Sequence, residues 1–183
     1  MESSGLNTTI TTENTMPKLS AVNIRPAVLA DCEAINAIYN YYVAQSTCTY
    51  QLEPSTAEER AEWFHGHGPR QPILVAEEHG RVIGWGSLSP FRERAGYRFT
   101  IENSIYIHHD HHRRGIGARM LEELIALARE HGYRVLIAGV DGEQDGSKRL
   151  HQKYGFVEVA HFRNIGFKFE RWLDVFFYQL ELR

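Results

Sequence analysis

The sequence predicts an α/β domain, with strands and helices alternating along one chain. Three observations predict it. Ile101, Asn103, Ile105 and Ile107 alternate with Glu102, Ser104 and Tyr106, which is the period of a strand. Just beyond, Ile116, Met120, Leu121, Leu124, Ile125 and Ala128 recur at helical spacing, and Gly132 follows as a left-handed cap. Earlier, residues 73–76 and 82–87 flank His79-Gly80, the pattern of a hairpin.

The other elements follow in order. Residues 1–20 are rich in Thr, Ser and Asn without apolar period, so a mobile tail is expected there, with Met16 an alternative start. Residues 21–183 are expected to form one domain. Residues 22–26 read as extended, leading to a helix capped by Asp31 that buries Ile35, Ile38, Tyr39 and Tyr42. A loop with Thr47, Thr49 and Tyr50 comes next. Ser55 and Glu58 have capping-box spacing before Ala61, Trp63 and Phe64, which predicts a second helix. Residues 92–97 form a polar, aromatic connection into the Glu102 strand. After Gly132, residues 135–140 read as a buried strand, 147–154 as a short helix ended by Gly155, 156–161 as a strand, and 175–182 as an alternating strand that ends the sheet. No internal repeat divides the chain.

Composition excludes several classes. The chain has 183 residues, 43% apolar content and a net charge of -3, enough for one buried core and no basic surface for nucleic acid. Cys32 and Cys48 are isolated, and no stretch reads as an export segment or a membrane span, so the cytoplasm is the expected compartment. The run His108, His109, Asp110, His111 and His112 has metal-binding residue types. Adjacent side chains on a short loop are not expected to converge on one ion, and a polar connection without metal is the reading. Tyr39, Tyr41, Tyr42, Trp63 and Phe64 lack an accompanying basic stripe and read as core or rim rather than a base-stacking surface.

Residues 113–118, Arg113-Arg114-Gly115-Ile116-Gly117-Ala118, open the central helix. Glycine there lets a ligand approach the backbone, first-turn amides have no partner within the helix, and the helix dipole adds attraction, so the segment suits a diphosphate. A Walker loop needs a Lys that the segment lacks. A dinucleotide-binding turn needs a third Gly where Met120 stands. His112, Gly115 and Gly117 do occupy the marked places of the pyrophosphate loop of the GCN5-related N-acetyltransferases (GNAT). One departure is His112, where Gln or Arg is usual.

With Ile24-Arg25-Pro26-Ala27, Asp31, Ile38-Tyr39-Asn40, residues 102–107, Leu150-His151, Gly155-Phe156, Gly166-Phe167-Lys168, Trp172 and Asp174, the chain resembles the phosphinothricin and methionine sulfoximine acetyltransferase branch of that superfamily over about residues 22 to 183. The resemblance implies a mixed, twisted central sheet flanked by helices and splayed beside the Glu102 strand, where the arm of acetyl-CoA pairs as an extra strand. It implies cofactor contacts from Ile105, Tyr106, Ile107, Arg113, Arg114, Gly115, Ile116, Gly117 and Ala118, and from Gln144 and Ser147, where Gln144 departs from the usual Asn. Glu102 is implied as general base. His151 is implied to orient or carry a proton, with Tyr154 its rival as acid. Tyr50, Arg92, Arg94 and Tyr97 are implied to line the acceptor pocket, and Lys168 and Trp172 to complete it across a homodimer. The implied reaction transfers acetyl directly to the α-amino group of a small amino acid or analogue, without metal. The rivals are a protein or peptide N-terminal acetyltransferase with an open groove, and a non-catalytic acyl-CoA-binding module, which would release no thiol.

Overall fold

The computed structural model describes residues 22–183, so the expectations for residues 1–20 lie outside it. Strand β1 (Asn23–Pro26) precedes helices α1 (Cys32–Gln45) and α2 (Ala57–His65). Hairpin β2 (Ile73–Glu78) and β3 (Arg81–Pro90) then leads to β4 (Thr100–Ile107), α3 (Ile116–Glu130), β5 (Val135–Asp141) and α4 (Asp145–Lys153). A second hairpin, β6 (Val157–Lys168) and β7 (Arg171–Glu181), completes the order. The seven strands lie as β1-β2-β3-β4-β5-β7-β6, with β4 and β5 parallel and the other neighbours antiparallel.

The alternation of β4 separates two cores. Ile101 joins Met120, Leu121 and Leu124 of α3 beneath one face. Tyr106 packs with Ile35 and Ile38 of α1, Val75 and Trp85 on the other. Both cores are buried, and no helix among the described residues is long and apolar enough to cross a membrane.

The most consequential feature is where pairing stops. Thr100, Ile101 and Glu102 pair with Val135, Leu136 and Ile137, and beyond that row β4 and β5 part. Residues 103–107 are therefore paired with β3 alone, while the rest of β5 pairs only with β7. The strands form a V with Glu102 at its apex, as the resemblance implied.

Several local expectations need correction. Asp31 does not cap α1 with its side chain. Its carboxylate accepts from the Val28 N–H at 2.8 Å and from two Arg25 nitrogens at 2.7 and 2.9 Å, a bidentate pair that outbids a cap. The capping box lies one residue later than expected, with the Thr56 hydroxyl accepting from the Glu59 N–H at 3.1 Å and the Glu59 carboxylate from the Thr56 N–H at 2.9 Å. The hydroxyl of Ser55 is taken by the Gln51 amide. Strand β6 runs to Lys168, well past residue 161, because it zips against β7 as a long hairpin with a register shift at Phe162 to Gly166.

Candidate active site

Two openings meet at the apex of the V. On the α1–α2 face of the sheet, β3 and β4 contribute Ser87, Ser89, Ser104 and Tyr106 to a cleft of about 450 Å³ roofed by Arg60 and Trp63 of α2. The register explains the floor: Trp85 lies opposite Tyr106, Ser87 opposite Ser104, and Ser89 opposite Glu102, so these side chains share one face. On the other side of the apex is the gap between the unpaired stretches of β4 and β5.

Glu102 faces this junction. The Gly139 N–H of β5 donates to its carboxylate, and a Cβ at residue 139 would stand 3.2 Å from Glu102 Oε1, so glycine there leaves room for the carboxylate. Burial pushes the Glu102 pKa above its ordinary value of 4.5, and the single amide bond only partly offsets this.

His151 occupies the opposite face. It is 4% exposed, with Nε2 3.1 Å from Asn103 Nδ2 and Nδ1 2.9 Å from the Ser147 carbonyl. The Asn103 amide donates to Nε2, so the Nδ1 proton goes to the carbonyl. Both nitrogens are committed, and burial lowers the pKa. Asn103 adjoins Glu102 in sequence, but alternation sends its side chain the other way, and its Oδ1 is buried without a partner among the described residues. Tyr154 packs against the α3-side core.

The loop before α3 has the backbone form expected of a ligand cradle. Arg113 and Gly115 have φ of 59° and 77°, and no side chain caps the helix N-terminus. A Cβ at Gly115 would meet no protein atom within 4 Å. Gly117 faces Leu150 and Ile107. The two arginines differ. Arg114 is held by Glu78 in a bidentate pair at 2.6 and 3.0 Å, whereas Arg113 is exposed and has no ion pair among the described residues. His112 ties the loop to the rest of the domain, with Nε2 2.6 Å from the Tyr42 hydroxyl and 3.0 Å from the Ile107 carbonyl.

Expected pocket residues are dispersed. Tyr50 bonds through its hydroxyl to Asp141 Oδ2 at 2.8 Å and lies against Gly166, bracing the loop rather than walling the cleft. Arg92, Arg94 and Tyr97 are exposed on the connection between β3 and β4, close in sequence to the Ser89–Glu102 row. Arg92 lies 5.9 Å from the Tyr97 ring centre, and the Arg94 side chain has no hydrogen bond or ion pair among the described residues. Gln144 immediately precedes α4, and Ser147 supplies the carbonyl that holds His151. Lys168 is not at a surface: its Nζ donates to the Ser46 and Thr49 carbonyls of its own chain, both at 2.8 Å. Trp172 is 63% exposed.

The histidine run also departs from expectation. A 3-10 turn over His109–His111 folds the Asp110 N–H back onto His108 Nδ1, and the candidate ligand atoms of His108, His109 and Asp110 lie within 4.8 Å of one another. His109 stacks on Tyr41 at 4.0 Å.

Sequence reasoning missed Arg60, Trp85 and the sheet-floor serines Ser87, Ser89 and Ser104 as site residues. Their signals were present, in the alternation of Trp85, Ser87 and Ser89 and in Arg60 one helical turn before Trp63 and Phe64.

A forked sheet, a half-buried carboxylate at the fork and a helix N-terminus without a side-chain cap are features that suit acyl transfer from a pyrophosphate-bearing donor. Residues 35–156 match the Acetyltransferase (GNAT) family, to which the chain belongs. It is 40% identical to the L-amino acid N-acyltransferase MnaT of Escherichia coli K12 over 162 residues, 88% of this chain and 94% of that protein. It is 38% identical to the L-methionine sulfoximine/L-methionine sulfone acetyltransferase of Salmonella typhimurium, covering 88% of this chain and 95% of the relative. The fold superposes with a TM-score of 0.85 on the crystal structure of a GNAT phosphinothricin acetyltransferase from Sinorhizobium meliloti in complex with acetyl-CoA, at 37% identity and 88% coverage of each chain.

Proposed function

We propose that the protein transfers an acetyl group from acetyl-CoA to the α-amino group of a small amino acid or analogue of the methionine sulfoximine and phosphinothricin type. The observation that carries this reading is Glu102 at the apex of the V, beside both the cleft and the unpaired edge of β4. The named activities of the three relatives agree with it.

The chain fits the cofactor. The β4 edge at residues 105–107, which β5 leaves, would pair with the pantetheine arm, except through the Ile107 carbonyl, which His112 Nε2 already approaches at 3.0 Å. The first-turn amides of Ile116, Gly117 and Ala118, reached over Gly115, would hold the diphosphate, with Arg113 as the available cation and Arg114 shaping the loop through Glu78. Gln144 and Ser147 would flank the arm from α4. Acetyl-CoA supplies the activated acyl group.

Glu102 takes the ammonium proton of the acceptor, directly or through water. The free amine attacks the thioester carbonyl, a β4 backbone amide stabilises the oxyanion, and the carbon–sulfur bond breaks as the amide forms. The leaving thiolate, whose conjugate acid has a pKa of about 8.5 on the cysteine scale, takes the proton that the attacking nitrogen sheds as the amide forms. His151 acts as a positioning residue by fixing Asn103 next to Glu102. Arg94, with Arg92 and Tyr97, holds the α-carboxylate at the Glu102 end of the cleft. No metal enters this scheme, and the histidine run serves as the turn into the loop.

Two further parts of the reading concern context. The outer side of the β6–β7 hairpin exposes Val157, Val159, Ile165, Phe167 and Trp172, which supports a homodimer covering that surface. A reaction fed by acetyl-CoA fits the cytoplasm. The test is thiol release from acetyl-CoA with a panel of free amino acids, their amides and short peptides. Release with free amino acids is expected. Release with peptides alone would replace the reading by the N-terminal acetyltransferase, and release with no amine would leave an acyl-CoA-binding module.

A further inference from the structure

We infer that Arg60, with the Trp85 indole N–H, is a specificity-determining residue that reads an oxygen-bearing head at the far end of the acceptor's side chain. This rests on the acetyl-transfer reading above and names the residues behind the substrate class proposed there.

Arg60 projects from α2 and is only 5% exposed. Its guanidinium carbon lies 4.6 Å from the centre of the Tyr39 ring, 4.7 Å from that of Trp63 and 5.9 Å from that of Trp85. Its Nε donates to Asn36 Oδ1 at 3.2 Å, and no other hydrogen bond or ion pair of this side chain occurs among the described residues. Arginine is almost never buried to this degree without a carboxylate partner. The aromatic faces stabilise the charge without supplying any acceptor for its terminal N–H groups.

A second observation points to the same ligand. Trp85, 2% exposed, also lines the cleft, and its Nε1 is buried without a hydrogen-bond partner among the described residues. Orphaned buried donors are rare enough to need an explanation. One wall thus presents the terminal N–H groups of a cation and an indole N–H, none with an acceptor among the described residues, and the serine hydroxyls of Ser87 and Ser104 stand on the floor between them and Glu102. A group that only accepts hydrogen bonds, with two or more oxygens, satisfies this set.

Spacing decides which part of the acceptor can do so. The Trp85–Tyr106 row is four strand residues from the Ser89–Glu102 row, roughly 13 Å at the rise of a β-strand. An α-carboxylate is one carbon removed from the amine and must stay at the Glu102 end. Only a side chain several bonds long, with a hydrogen bond at each end, reaches from Glu102 to the aromatic box.

The experiment compares L-methionine sulfone with L-norleucine, which has similar length and no side-chain oxygen, as acceptors for the full chain at saturating acetyl-CoA. In the wild type kcat/KM is expected to favour the sulfone. Arg60→Met should cut the sulfone-to-norleucine ratio by about tenfold or more, chiefly through the KM of the sulfone, and Arg60→Lys should restore part of it. Trp85→Phe removes the N–H while keeping a ring, and should cut the ratio severalfold. If Arg60→Met fails to fold, Arg60→Lys and Trp85→Phe carry the comparison. An unchanged ratio in the variants overturns the inference, because a merely structural arginine would affect both acceptors alike. A wild type that acetylates both equally overturns the substrate class and leaves the amino-acid acetyltransferase standing, whereas a wild type that acetylates no amine overturns both.

Discussion

Glu102→Gln keeps the size of the side chain and leaves an amide oxygen to accept from the Gly139 N–H, so the fork of the sheet should survive while the proton acceptor is lost. A positioned base contributes about 10²- to 10⁴-fold, so turnover should fall by about 10²-fold or more, about 2.7 kcal/mol of barrier. The structure adds a pH signature. Burial raises the Glu102 pKa above 4.5, so the acid limb of wild-type kcat/KM should lie above that value, and it should vanish in Glu102→Gln. Stability has the opposite sign. A carboxyl whose folded pKa is raised contributes fully below its unfolded pKa, and that contribution is lost as pH rises through the folded value. The melting temperature of the Gln variant relative to wild type should therefore improve from acid to neutral pH. Thiol release and thermal melting over one pH series read both effects, and acetyl-CoA binding should change little. Unchanged turnover near neutral pH removes Glu102 from the chemistry, and an equal fall in turnover and cofactor affinity would show that the substitution collapsed the fork instead.

Gly115→Val should lower the melting temperature of the free protein because φ is 77° there, and should abolish the further rise produced by acetyl-CoA in wild type. An undiminished cofactor-induced rise would place the diphosphate elsewhere. Arg94→Ala should raise the Michaelis constant of a free amino acid tens-fold, from about 1.5 to 3 kcal/mol for a charge-assisted contact, and affect the corresponding amide far less; equal penalties on both would show that Arg94 does not read the carboxylate. Trp172→Glu, on the exposed apolar side of the β6–β7 hairpin, should convert a dimer to a monomer by sedimentation equilibrium, and a wild type that sediments as a monomer at micromolar concentration would refute the interface.

What was legible in the sequence is what local period and backbone chemistry determine. The alternation of β4 put Glu102, Ser104 and Tyr106 on one face, and the spacing of α3 with Gly115 before it and Gly132 after it located the helix and its left-handed ends, because those signals lie within a few residues of one another. The capping box was misplaced by one residue because Ser55 and Thr56 are both competent caps, each followed three residues later by a glutamate, and the choice between them is made by Gln51 and Asn40, which bond Ser55 from outside the helix. His151 was visible as a histidine on a short helix. Its orientation away from Glu102 was not, since it depends on the contact with Asn103, 48 residues earlier.

The acceptor side of the site was least legible because it is assembled from distant segments. Arg60 meets Tyr39 from α1 and Trp85 from β3, and nothing in the sequence near residue 60 announces either ring. The loop after α1 is held from still farther away. Lys168 Nζ binds the Ser46 and Thr49 carbonyls across 122 and 119 residues, and Asp141 accepts from the hydroxyls of Thr47 and Tyr50 at 2.7 and 2.8 Å. Lys168 and Asp141 belong to β6 and β5, on the far side of the V from the cleft. The same contacts that fix this loop therefore span the gap in which the acyl donor would lie. A rigid frame across an unpaired stretch of sheet needs such cross-links, because β4 and β5 no longer hold each other through backbone hydrogen bonds there. This gives Tyr50 and Lys168 a physical reason for their types that differs from contact with the acceptor: a buried ammonium with two carbonyl acceptors and a phenol on a carboxylate are strong, directional ties, suited to keeping the two arms of the V at a fixed opening.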